Sequence, residues 1–103
     1  MKTILSIDTS AIDTARVVLT IDGKQFEKKS ESKVMKSQML LPIIEEILLE
    51  HDRALSDITA ITVALGPGSF TGLRVGCTVA NALGELLNIP VNGKRDIAIP
   101  VYS

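Results

Sequence analysis

The stretch from Ile61 to Leu87 constrains this chain more than any other, because an apolar run, a glycine-rich turn and a helical pattern follow one another without a break. Ile61-Thr62-Val63-Ala64-Leu65 reads as the body of a buried strand that starts near Ile58, and the breakers Gly66, Pro67 and Gly68 end it. Ser69 suits the N-cap of a following helix, so Gly66, Pro67, Gly68 and Ser69 are expected to form a structural turn that aims the helix back across a sheet. Beyond it, small residues recur at every fourth position: Gly72, Gly76, Ala80 and Gly84. On a helix this spacing draws a smooth ridge along one side. A glycine inside a helix costs about 1 kcal/mol relative to alanine, so a run of them implies the close approach of another backbone.

The rest of the chain supplies a sheet for that helix to cover. Thr3 to Ile7 is a short apolar run ending in the polar turn formers Asp8, Thr9 and Ser10. Arg16 to Ile21 reads as a second strand, and Asp22-Gly23 is a strong hairpin signal. Lys24 to Ser30 is a polar third strand whose lysines and glutamates suit a sheet edge. Val34 to Glu50 is helical by period, with Leu40, Leu41, Ile43, Ile44, Ile47 and Leu48 on one arc and Met35 and Met39 on an adjacent strip. Pro42 fits either a kinked helix or a later start, with Ser37 as an alternative N-cap. His51 to Ser56 is a polar linker. After the second helix, Asn88 is a plausible C-terminal cap, and Ile89-Pro90-Val91 begins a further strand ending at Asn92-Gly93. The order is β-β-β-α-β-α-β, a mixed five-stranded sheet in which an antiparallel meander precedes two helices.

With 103 residues the chain suits one domain, and 46% hydrophobic against 22% charged residues is globular composition. A formal net charge of −1, with both signs mixed, argues against a broad nucleic-acid or lipid footprint. The lone Cys77 fits a reducing compartment, and no run reaches membrane-spanning length, so a soluble cytoplasmic protein is expected.

Gly66-Pro67-Gly68-Ser69-Phe70-Thr71-Gly72-Leu73-Arg74-Val75-Gly76, taken with the element order, closely resembles the N-terminal lobe of the TsaB (YeaZ) family of bacterial tRNA threonylcarbamoyladenosine biosynthesis proteins. Leu5 to Ser10 is similar to that family's opening strand and loop, Ser37 to Ile44 to its first helix with the proline, and Ile89 to Gly93 to its fifth strand. Lys36 stands where the family usually has a histidine. The resemblance implies an actin/Hsp70-like ATPase (ribonuclease H-like) α/β lobe over residues 1–93, with 94–103 as a C-terminal extension in place of a second lobe. It implies a non-catalytic partner in the modification of the adenosine next to the anticodon. Such a partner docks by its two helices on the catalytic paralogue TsaD, with a TsaE-type ATPase completing the machinery. The same surface would serve a homodimer, whereas direct contact with tRNA is left undecided.

On that reading Met35, Met39, Ile43, Gly72, Val75, Gly76, Val79, Ala80 and Leu83 form the partner interface. The pattern of the second helix agrees. At about 100° per residue, Arg74, Thr78, Asn81 and Glu85 occupy one narrow polar arc, and the remainder is apolar or small. A helix covering one sheet face needs an apolar stripe of roughly 100°, so the excess implies burial by something besides the sheet. A bulky residue at Gly76 is therefore expected to block association without unfolding the chain.

The chemical alternatives are weaker. The glycine turn lacks the Lys-Ser/Thr ending of a phosphate loop and the spacing of a dinucleotide fingerprint. Asp8 sits where actin-like ATPases place a phosphate or metal loop, yet in one lobe a turn cap suits it better. His51 has no helical histidine partner for a metal, and Cys77 on an apolar arc reads as a structural thiol. A nucleotide-binding or metallopeptidase-like enzyme is thus the second reading, and no cofactor or metal is expected.

Overall fold

Residues 2–11, 14–31, 36–68 and 70–93 are described in a computed structural model, with positions 31, 36–39 and 70 as backbone alone. β1 (Thr3–Asp8), β2 (Thr14–Ile21) and β3 (Lys24–Glu31) form an antiparallel meander. Helix α1 (Lys36–Glu50), strand β4 (Ala60–Val63) and helix α2 (Phe70–Leu87) follow, giving a four-stranded sheet of order β3-β2-β1-β4 in which β4 runs parallel to β1. The meander is set locally. Asp22 and Gly23 both take positive φ (49° and 88°), the two-residue turn whose twist matches that of the flanking strands. Register then follows from alternation: Thr3, Leu5 and Ile7 of β1, and Ala15, Val17 and Leu19 of β2, are buried on one face.

Both helices lie on that face, α1 over β2 and β3, α2 over β4 and β1. The core is aliphatic. Leu40, Ile43, Ile44, Ile47 and Leu48 of α1 and Cys77, Ala80 and Leu83 of α2 close down on Leu5, Ile7, Leu19, Ile61 and Val63, and Leu73 of α2 is also fully buried. Pro42 lies inside α1 on its exposed side, so the helix begins well before the proline and runs through it at the loss of one backbone donor. Residues 34 and 35 of the helix expected from the period lie outside the described residues.

Each helix ends on a left-handed residue. Asn88 (φ 55°) closes α2: its N–H reaches Glu85 O and the N–H of Ile89 reaches Gly84 O at 3.0 Å, the paired bonds of a Schellman cap. Asp52 (φ 54°) closes α1 in the same way, with Asp52 N–H bonded to Leu49 O and Arg53 N–H to Leu48 O. The expected linker is thus in part a cap, followed by a short 3-10 turn at Leu55–Asp57. The His51 ring stacks at 3.9 Å on Phe26, tying the end of α1 to β3. Lys28 of β3 reaches Glu50 at 2.8 Å and Glu46 at 3.5 Å on α1, and its hydrogen bond to Glu50 raises the ammonium above its ordinary pKa. On the opposite face Arg16 grips Glu27 at 2.7 Å and lowers that carboxyl's pKa.

The expected fifth strand is corrected. It is reduced to one parallel bridge, Ile61 to Val91, with Ile61 N–H on Pro90 O and Asn92 N–H on Ile61 O. The next rung is made by a side chain: the Asn92 carboxamide accepts from Val63 N–H at 2.8 Å and donates to Val63 O at 3.1 Å. Asn92 and Gly93 take φ of 53° and 78°, which turns the backbone off the strand path.

Gly84 is where α2 meets that bridge. A Cβ there would lie 2.5 Å from Val91 Cγ2 and 3.3 Å from Ile89 O. Alanine normally stabilises a helix interior by about 1 kcal/mol relative to glycine, but here overpacking of about 1–3 kcal/mol opposes it. Gly84→Ala is expected to lower stability in urea unfolding; a gain would show that Val91 yields freely.

Candidate partner-docking surface

Two kinds of residue on α2 were joined in the expected interface, and the structure separates them. Gly72, Gly76, Ala80 and Leu83 are buried, as is Ile43 of α1, and they face the chain's own core. Val75 and Val79 are half-buried on a flank of α2. Met35 and the side chain of Met39 lie outside the described residues.

The small-residue ridge serves an internal contact. A Cβ on Gly76 would collide with the Thr9 hydroxyl oxygen, with Val63 Cγ2 at 3.4 Å and Ile7 Cγ2 at 3.6 Å behind it. Thr9 is fully buried and its hydroxyl donates to Gly72 O in the first turn of α2. The loop after β1 is therefore locked to the helix that covers it. The turn before α2 belongs to the same lock. A Cβ on Gly68 would lie 2.6 Å from Ser10 O, and Gly66, at φ 123°, precedes the cis peptide to Pro67. Ser69 lies outside the described residues. Asp8 Oδ1 accepts from Ser10 N–H at 3.0 Å and from Ser10 Oγ at 2.6 Å, capping the loop. The bulky residue at Gly76 expected to spare the fold would instead strike this lock.

A second set of residues faces outward. Val75, Val79, Ala82 and Leu86 are spaced 4-3-4, which places them within about 60° of one another at 100° per residue. Val75 and Val79 are half-buried, Ala82 is exposed and Leu86 is 73% exposed. Gly84, on the opposite flank of α2, meets Val91 outside β4, so this stripe faces α1. On α1 the Glu46 and Glu50 flank reaches out to Lys28, so the flank carrying Leu41, 44% exposed, faces α2. Leu49 is 79% exposed nearer the crest of α1. The boundary of the helices is thus an apolar seam with its outer rim open. Sequence reasoning did not single out Leu86; the 4-3-4 spacing is the signal that marks it.

The polar arc of α2 is where the period put it, with Arg74, Thr78 and Glu85 exposed. Cys77 is buried and free, and burial raises its thiol pKa, away from nucleophile behaviour. Among the described residues no group of three or more His, Cys, Asp or Glu could hold a metal, and no helix is long and apolar enough to cross a membrane.

A mixed sheet carrying two helices on one face, with a glycine turn between β4 and α2, defines an α/β lobe of the actin-like kind. The chain belongs to the family described as TsaD, tRNA N6-adenosine threonylcarbamoyltransferase, whose model matches residues 32–98. It is similar to the tRNA threonylcarbamoyladenosine biosynthesis protein TsaB of Bacillus subtilis (strain 168), being 38% identical over 90 residues, 87% of this chain and 39% of the relative. The solved YeaZ of Pseudomonas aeruginosa superimposes with a TM-score of 0.82 at 35% identity, over 88% of this chain and 42% of that one. A second solved chain, an uncharacterized protein with similarity to the peptidase YEAZ from Pseudomonas aeruginosa, gives 0.83 at 32% identity, over 99% and 44%. The chain therefore spans less than half the length of these relatives.

The lock yields two expectations. Gly76→Ala should destabilise by about 1–3 kcal/mol, again against helix propensity, as read by urea unfolding. Thr9→Val, which keeps the volume and removes the donor to Gly72 O, should cost about 1 kcal/mol; no loss in either would free α2 from the loop.

Proposed function

We propose that this chain is a non-catalytic partner subunit in the synthesis of threonylcarbamoyladenosine in tRNA, docking through α1 and α2 on a TsaD-type catalytic subunit or on a second copy of itself. One observation carries the reading: the open apolar seam of Val75, Val79, Ala82 and Leu86 beside Leu41. Its 4-3-4 spacing is that of a helix receiving a neighbouring helix, and its width exceeds what the sheet consumes. The name of the relative TsaB, a tRNA threonylcarbamoyladenosine biosynthesis protein, supplies the pathway. A TsaE-type ATPase enters this scheme through the complex rather than through the seam.

The interior glycines support docking indirectly. By letting α2 settle on the β1 loop, they fix the rotation of the helix and so decide which residues reach the rim. Specificity then rests on the exposed leucines, with Glu45 beside Leu41, Glu85 beside Leu86 and Arg74 beside Val75 as neighbouring charges.

Full burial of one leucine is worth about 1.5–3 kcal/mol, roughly a tenfold to hundredfold change in affinity. Leu86→Lys should weaken association with the TsaD-type subunit of the same organism, or self-association of the chain, by at least tenfold. Analytical ultracentrifugation with and without that subunit reads this, and circular dichroism should stay unchanged because the side chain is already in water. Unaltered association of both kinds in a folded variant would remove the seam from the interface.

A further inference from the structure

The two edges of the sheet are protected in different ways. β3 is an edge strand carrying Lys24, Glu27, Lys28 and Lys29, and such charges discourage pairing with another chain. The other edge has no such protection in its side chains. From Ile58 to Leu65 the sequence is Ile-Thr-Ala-Ile-Thr-Val-Ala-Leu, without charge, proline or glycine and rich in β-branched residues, the composition of a segment prone to strand addition. β4 lies within it at the end of the sheet order, and beyond it stands only the bridge at Val91 among the described residues.

The outward-facing peptide groups of β4 belong to Ile61 and Val63. Those of Ile61 are taken by Pro90 O and Asn92 N–H. In a regular parallel ladder the next rungs would join Val63 N–H to the carbonyl of residue 92, and Val63 O to the N–H two residues further on. The Asn92 carboxamide makes both: Oδ1 takes the N–H at 2.8 Å and Nδ2 gives to the carbonyl at 3.1 Å. One side chain thus imitates a whole peptide unit while the backbone turns away at φ 53° and 78°.

We propose that the Asn92 carboxamide is the seal that closes the β4 edge against strand addition, and that the strand it excludes is β4 of a second copy of this chain. A second copy is the fitting occupant because two uncharged, identical edges related by a two-fold axis are self-complementary. The seal is independent of the helical seam, which lies on the other side of α2.

Asn92→Gly isolates the carboxamide, since glycine takes a φ of 53° without strain. Hydrogen exchange should show the Val63 amide at least tenfold faster in this variant. Asn92→Asp, which keeps the acceptor but sets a second carboxylate oxygen against Val63 O, should also speed that amide's exchange, and an amide as slow as in the parent chain would overturn the two-bond seal. To take the seam out of play, the mass of Asn92→Gly in a Leu86→Lys background is compared with that of Leu86→Lys alone over rising concentration. A mass that climbs only in the double variant supports the seal. Unchanged Val63 exchange in the glycine variant, or faster exchange with no rise in mass, overturns it.

Discussion

The contact between Gly76 and Thr9 sets the distance between α2 and the sheet, and much of the molecule depends on it. No side chain other than hydrogen fits between the helix axis and the buried threonine, whose hydroxyl in turn holds Gly72 O. The helix is therefore fixed in depth and in rotation about its axis. Depth brings Cys77, Ala80 and Leu83 into the aliphatic core. Rotation sends Val75, Val79, Ala82 and Leu86 toward α1 and Arg74, Thr78 and Glu85 toward solvent. An internal packing constraint thereby selects the residues available to a partner.

The same economy appears at the far end of α2. Gly84 lets the helix lie against Val91, and the Schellman cap at Asn88 reverses the chain in time for Val91 to bridge Ile61. The return segment pairs at Val91 and turns away at Asn92, which lends a side-chain amide to the ladder. α1 is held by other means: its apolar arc, the Phe26–His51 stack and the ion pairs of Lys28 tie it to β2 and β3.

Much of this was legible from local chemistry. Asp22-Gly23 announces its hairpin, the charges of β3 announce an edge, and Asn88 announces a cap, because each is a short-range preference. The glycine spacing signalled the close approach of another backbone, but what meets Gly76 is the side chain of Thr9, and the direction of the approach was not legible. Whether Gly76 faces a partner or the loop at Thr9 depends on a contact between residues far apart in sequence. Thr9 itself read as a turn former, since nothing local distinguishes an exposed threonine from one locked under a helix. Asp52 escaped notice because a left-handed aspartate leaves only a weak mark, and Asn92, read as the end of a strand, was not legible as a side-chain partner of Val63. The excess of apolar surface on α2 was readable from the helical period, but the exposed rim of Ala82 and Leu86 was not, because it depends on how much of that surface the sheet and α1 consume.

On the proposed reading this lobe contributes contact. Lys28 and Glu50 form a β3–α1 clasp and Asp8 caps its loop, while among the described residues the most exposed large apolar side chains, Leu49, Leu86 and Leu41, all sit on the two helices. Hydrogen–deuterium exchange of the chain, alone and mixed with the TsaD-type subunit of its own organism, locates the contact without altering a residue. Slowed exchange gathered on residues 41–50 and 75–87, with the loop at 8–10 and the turn at 66–68 unchanged, is the expected footprint. Protection confined to that loop and turn, or none at saturating subunit, would contradict docking through the helices.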